Sequence, residues 1–243
     1  MSLWDRQIKF HERCFKTFRD KKCYLWVRMQ QSMRILFAIF AILLSNCSQS
    51  QSQQKKVMNS TETNHVDPAK LDSIVLGGGC FWCLDAVYRR MPGVVNVIAG
   101  YSNGKIANVT YREVCSGLTG AVEVVKVMFD TTQTSIENIL EVFWRVHNPT
   151  TLNQQGNDVG TQYRSGIYYT NDEHKRIALA SVQAVKDSKL WEGTITTEIL
   201  PLEKYSNAED YHQNYFENNP NQPYCIYVVG EKVKKYEEFM KKD

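Results

Sequence analysis

The residues Gly77-Gly78-Gly79-Cys80-Phe81-Trp82-Cys83 combine a nucleophile, a second thiol and a flexible approach. They fall where an apolar strand-like run, Leu71–Leu76, gives way to a helical pattern from Cys80 to Arg90. A thiol in the first turn of a helix sits in the partial positive charge of the helix N-terminus. That charge lowers its pKa below the free value of about 8.5 and favours the thiolate. The glycines permit a tight turn and close approach of a substrate to the backbone. A phosphate loop is excluded, because no Gly-Lys-Ser/Thr follows the glycines.

Cys80 and Cys83 are three apart, on neighbouring faces of a helix, and could close a disulfide. Spacing alone leaves three readings open: a thioredoxin-like redox pair, half of a zinc site, or two small buried residues. No second C-x-x-C or paired His completes a metal site, so no metal is expected. His147, His174 and His212 stand alone and read as structural or exposed. A second group enters in the alternating run Gly120–Phe129. There Glu123 shares a strand face with Ala121, Val125, Val127 and Phe129, while Lys126 points away. A carboxyl on so apolar a face should have a raised pKa and stay protonated, which makes it a candidate general acid; the alternative from this strand alone is a Glu at a sheet edge reaching water.

The elements that must position these groups alternate irregularly. Strands are expected at Leu71–Leu76, Val94–Tyr101, Ala121–Phe129, Gln162–Tyr169 and Thr194–Leu200, with an edge strand at Cys225–Val229. Helical segments are expected at Cys80–Arg90, Tyr111–Ser116, Asn171–Lys189, Ala208–Asn218 and Lys232–Met240. One more follows the capping pattern Thr134-x-x-Glu137, where Ile136, Ile139, Leu140 and Phe143 share a face. Asn148–Gly160 reads as a loop. The fold class expected is α+β, a mixed sheet layered with helices.

Five strings occur in order: Gly79-Cys-Phe-Trp-Cys83, Gly100-Tyr101, Tyr111-Arg-Glu-Val-Cys115-Ser-Gly, Gly156-Asn-Asp158-Val-Gly-Thr-Gln-Tyr163-Arg-Ser165 and Ala208-Glu-Asp-Tyr-His212-Gln. Together they resemble the A-type peptide methionine sulfoxide reductases, over about residues 71 to 237. The resemblance implies that Cys80 attacks the sulfoxide sulfur and that Glu123 protonates its oxygen. It implies that Tyr101 and Tyr163 hydrogen-bond that oxygen, that Asp158 orders the site, and that Phe81 and Trp82 wall the substrate methyl group. Cys80 would be left as sulfenic acid. Cys83 and Cys225 are both candidates to resolve it through a disulfide, which a thioredoxin-like donor, or dithiothreitol in vitro, would reopen. No bound cofactor is implied. Substrates would be the S epimer of methionine sulfoxide, free or in oxidised proteins. Cys115 lies in a family string but reads as a small buried residue. The chain departs from the family pattern at Ala121-Val122, Asn148 and Leu84-Asp85, none of them at Cys80, Glu123, Tyr101 or Tyr163. The competing classes are a general thiol–disulfide oxidoreductase using Cys80 and Cys83, and a non-catalytic tethered interaction domain.

The chain has 243 residues, 43% apolar and 12% aromatic, with seven Cys and a formal charge of +3. These values exclude wholesale disorder and a polytopic membrane protein. The charge is unevenly placed. Residues 1–34 hold nine Lys/Arg and three Asp/Glu, a net of +6, and the rest carries −3, so nucleic acid is not an expected partner. Ile35–Leu44 is an uninterrupted apolar run, shorter than the about 20 residues that span a bilayer. With the preceding charge and Asn46-Cys47 it resembles a bacterial lipoprotein signal. Residues 1–46 are therefore read as a leader, with residues 1–32 as an over-long start or an extended n-region, and Cys47 as the lipidation site. The alternative is a buried apolar helix. Residues 47–70 read as a polar tether and 71–243 as the catalytic domain. The expected location is a bacterial cell envelope, with a lipid-anchored monomer, or the cytoplasm if the leader is no signal.

Overall fold

The computed structural model describes residues 67–241. The leader, Cys47 and most of the tether lie outside them. Pro68–Lys70, assigned above to the tether, form a 3-10 turn capped by the Asp67 carboxylate, and Thr131 N donates to Lys70 O at 2.8 Å.

Long alternating runs make the centre of the sheet: β1 (Leu71–Gly77), β2 (Val94–Ser102) and β3 (Val122–Asp130). Three short strands, β6 (Gly166–Tyr169), β7 (Glu198–Pro201) and β8 (Ser206–Asn207), complete the order β7-β6-β1-β3-β2-β8. Every pairing is antiparallel except β6 with β7, so the sheet is mixed, as expected for the α+β class. Period-two alternation sends Ile74, Leu76, Val97, Ala99, Ala121, Val125, Val127 and Phe129 into one core. Val75, Val122, Val124 and Tyr168 go to a smaller cluster on the other side, under Leu202 and Tyr205.

The main core is shared with α1 (Phe81–Tyr88), α3 (Ile136–Val146), α4 (Asp172–Ser188) and α6 (Gly230–Met240). Of two shorter helices, α2 (Tyr111–Cys115) sits between β2 and β3 in the chain and α5 (Tyr215–Asn218) follows β8. Ile136, Ile139, Leu140 and Phe143 are buried on α3 as their spacing requires. The cap of α3 is Ser135, which accepts from Asn138 N, and not Thr134, whose side chain is buried.

Three expected elements differ, each for a local reason. Gln162–Tyr169 splits into a 3-10 turn, Thr161–Tyr163, and β6. Between them Arg164 donates to the carbonyls of Gly120, Thr161 and Asn103 and to Glu198 Oε1, drawing the chain off the sheet. Ala208–Asn218 is no single helix. The edge of β2 captures Ser206–Asn207 as β8, and the Gln213 amide extends that edge by bonding both N and O of Ala99. Cys225–Val229 is a π-helical turn running into α6, not a strand. Its buried residues are Cys225 and Val229, four apart, while Ile226 and Tyr227 are exposed. That is a helical period. The loop Asn148–Gly160 carries a two-residue hairpin, β4 (Gln154–Gln155) with β5 (Asp158–Val159), and Thr194–Leu200 contributes only β7 from Glu198 onward.

The planar Arg164 fork ties three loops and β7 together from a side chain only 16% exposed. Replacing it with Ala strands those acceptors, at a cost of about 3 kcal/mol. The urea midpoint should fall accordingly, with Arg164→Lys intermediate because an ammonium cannot fill the fork. An Arg164→Ala midpoint equal to wild type would show the fork to be dispensable.

Candidate active site

β1 delivers the chain to Gly79, which has φ +89°, a conformation that favours glycine. A Cβ there would stand 2.5 Å from Gln155 Cγ, so the hairpin residue closes directly over the turn. Cys80 follows as the N-cap of α1 rather than within its first turn. The next amide, Phe81 N–H at the first helical position, donates to Glu123 Oε2 at 3.1 Å.

Glu123 is brought there by strand register: its Cα is paired with that of Tyr101 across β2 and β3. It is 1% exposed. Burial, opposed by the Phe81 bond and helped by Asp158 and Cys83, raises its pKa to about 8. The carboxyl is neutral at pH 7, as its apolar strand face predicts. The Cys80 expectation is overturned. Burial, a hydrogen bond with Cys83 and the neighbouring Glu123 carboxyl push its pKa well above the thiol range. Cys83 goes the other way. The hydrogen bond from Cys80 lowers it to about 7, against burial and with help from Lys232. The first thiolate of this pair is therefore held at Cys83, with the Cys80 proton shared across the bond.

The remaining expected residues converge on the same place. Phe81 is buried, with ring centroids 5.8 Å from Tyr101, 4.9 Å from His212 and 6.2 Å from Trp82. Trp82 stacks on Tyr215 at 3.7 Å. The Tyr101 hydroxyl donates to Glu209 Oε2 at 2.9 Å. The Tyr163 hydroxyl has no hydrogen-bond partner among the described residues, and burial raises its pKa, so it remains a neutral donor. Asp158 Oδ2 accepts from the Tyr224 hydroxyl at 2.6 Å. Cys225 is fully buried, its pKa raised by burial and by Cys83. Cys115 is exposed, contrary to expectation, because α2 turns only Val114 into the core.

Of the three histidines, His147 is structural. It is buried between Phe143 O, 2.6 Å, and Ser165 Oγ, 2.8 Å, and burial holds its pKa down to about 3. His174 bonds Thr170 and Asp72 at the end of β1. His212 is different: it lies in the aromatic wall, and neither ring nitrogen has a hydrogen-bond partner among the described residues, Glu209 Oε2 standing 3.9 Å from Nε2. Sequence reasoning also assigned no role to Glu209, Tyr224 or Lys232. Glu209 lay inside a noted string, and Tyr224 next to a noted cysteine, but the spacing did not say what either would touch.

A family model described as peptide methionine sulfoxide reductase matches residues 72–243. The chain belongs to the peptide methionine sulfoxide reductase family. It is 51% identical over 162 residues to the peptide methionine sulfoxide reductase MsrA of Nautilia profundicola, covering 67% of this chain and 92% of that one. The MsrA of Trichodesmium erythraeum is 48% identical over 169 residues, covering 70% and 96%. Among solved structures, reduced Mxr1 from Saccharomyces cerevisiae superposes with a TM-score of 0.62 at 35% identity, over 65% of this chain and 91% of that one. The methionine sulfoxide reductase A of Corynebacterium diphtheriae gives 0.57 at 36%, over 64% and 78%. The enzyme thus reduces methionine sulfoxide, and its fold is that of these neighbours.

Because the reductase holds its first thiolate on Cys83, thiolate absorbance at 240 nm should appear as pH rises with a midpoint near 7. Cys83→Ser should remove that transition and leave only ionisation well above it. A transition near 7 that survives Cys83→Ser would place the thiolate on another cysteine.

Proposed function

We propose that this reductase acts on the S epimer of methionine sulfoxide, free or in oxidised proteins, with Cys80 as nucleophile and Glu123 as acid. The observation that carries this reading is the Phe81 N–H to Glu123 bond, which sets a neutral buried carboxyl beside Cys80. The sulfoxide group would enter against Phe81 and Trp82, whose rings suit a methyl thioether. Transfer of the shared proton to Cys83 puts the negative charge on Cys80. The Cys80 electron pair attacks the sulfoxide sulfur, and Glu123 gives its proton to the oxygen as the sulfur–oxygen bond breaks. Tyr163, with a free hydroxyl, supports the departing oxygen. Tyr101 does so only by releasing Glu209, and Asp158 orders the site through Tyr224. The oxygen leaves as water with a second proton from solvent. A water then attacks the Cys80 sulfur as its bond to the substrate sulfur breaks, returning a proton to solvent and giving methionine and a Cys80 sulfenic acid.

Cys83 resolves that acid first, because it already shares a hydrogen bond with Cys80. Cys225 faces Cys83 and is buried at the start of its helical turn. A thioredoxin-like dithiol donor then reopens the disulfide. In the cell the enzyme is tethered to the envelope through a lipidated Cys47 and functions as a monomer. Support for this is the apolar run Ile35–Leu44, the preceding net charge of +6, and the polar stretch that follows Cys47.

A dithiothreitol-driven assay with a methionine sulfoxide peptide tests the assignment. Cys80→Ser should abolish methionine formation. Glu123→Gln should cut kcat by about 10²-fold or more while changing KM little. In wild type the rate of sulfoxide cleavage should fall above pH 8, as the carboxyl loses its proton. Turnover retained by Cys80→Ser would overturn the nucleophile, and an unchanged rate in Glu123→Gln would overturn the acid.

A further inference from the structure

Cys83 is fully buried, and ionisable groups face it from each element around it. Cys80 precedes its helix, and Glu123 comes from β3. Asp158 comes from β5, Tyr224 and Cys225 from the turn before α6, and Lys232 from the first turn of α6. Lys232 is the only cation in that set. It is half-buried and has no ion pair or hydrogen bond among the described residues. Its Nζ stands 3.7 Å from the position a Cβ would take on Gly79, against the turn that leads into the cysteine pair. Val233 and Tyr236, both buried, anchor α6, and the Tyr236 hydroxyl donates to Arg90 O at 3.3 Å just beyond α1. The ammonium thus stands against the turn that carries the buried sulfurs, partly withdrawn from water, with no carboxylate partner among the described residues.

We propose that Lys232 is a positioning residue for the resolving half of the reaction, holding negative charge on the Cys83 sulfur so that this sulfur attacks oxidised Cys80. This rests on the reading of Cys83 as the resolving cysteine. In the step, the Cys83 electron pair forms the sulfur–sulfur bond and the Cys80 sulfur–oxygen bond breaks. The oxygen leaves as water after taking one proton from solvent. Cys80 is reduced from sulfenic acid to disulfide as Cys83 is oxidised from thiolate to disulfide, so no outside oxidant or reductant enters. Lys232 touches neither substrate nor oxygen. Its effect is on the thiolate fraction of Cys83, in the same direction as the lowering already described for that thiol.

The test mixes reduced enzyme with a limiting methionine sulfoxide peptide, quenches at intervals with an alkylating acid, and counts methionine peptide and Cys80–Cys83 disulfide by mass from pH 5.5 to 9.5. In wild type the disulfide step should rise with a midpoint near 7. Lys232→Met should move that midpoint upward, slowing the step roughly fivefold at pH 7 for a shift of about one unit, with little change at pH 9.5. All the limiting peptide should still become methionine. Lys232→Arg should restore the midpoint, since it keeps the charge. An unchanged midpoint in Lys232→Met, or equal slowing at every pH, overturns the proposal. If Lys232→Met fails to fold, Lys232→Gln is read by the same criteria. Cys83→Ser run in parallel separates the two claims. A Cys80 disulfide formed at the wild-type rate in that variant would remove Cys83 as resolver, whatever Lys232 does.

Discussion

One hydrogen bond joins the two halves of the chemistry: Phe81 N–H to Glu123 Oε2, between residues 42 apart in the chain. It fixes the start of α1 against the middle of β3 and sets the distance between nucleophile and acid. It also demands the elements on both sides. The strand must carry Glu123 on its helix-facing side, in register with Tyr101, and the glycine turn must present Cys80 as a cap. Sealing that bond from water under Phe81 is what keeps the carboxyl neutral near pH 7.

The same bond has an electrostatic consequence for the cysteines. A helix N-terminus offers few free amides, and here the one next to Cys80 is already engaged. With burial opposing charge at Cys80, the thiolate is stabilised through sulfur-to-sulfur hydrogen bonding and comes to rest on Cys83. A protonated acid beside a thiol pair that has lost one proton is a consistent state for a site that must deliver both a proton and an electron pair. A fully exposed pair would ionise together above the acid, and that combination would be lost.

The central strands, α3 and α4 were legible because their buried faces repeat at 2 or 3.6 residues over seven residues or more. Glu123 was legible for the same reason: alternation alone placed it on the apolar face. The misreadings came where a short segment is governed by partners distant in sequence. Residues 225–229 are β-branched and aromatic in composition, yet packing on α1 and α6 selects the helical pair Cys225 and Val229. Ala208 and Gln213 bond Ala99 on the open edge of β2 instead of continuing the helix expected over Ala208–Asn218. At Cys80 the dipole argument was sound in isolation. It failed because spacing does not show how deeply Cys80 is buried, or that Cys83 and Glu123 face it. Glu209, Tyr224 and Lys232 were hidden likewise, each facing a site built by elements far from it in the chain.

The state of Glu123 at neutral pH is the claim on which the rest stands, and infrared difference spectroscopy reads it directly. With wild type and Glu123→Gln compared across a pH titration, a protonated-carboxyl band unique to wild type is expected at pH 7. It should be lost with a midpoint near 8. A band lost instead near the ordinary value of 4.5 would mean that Glu123 is ionised at neutral pH, and its role as the acid would be contradicted.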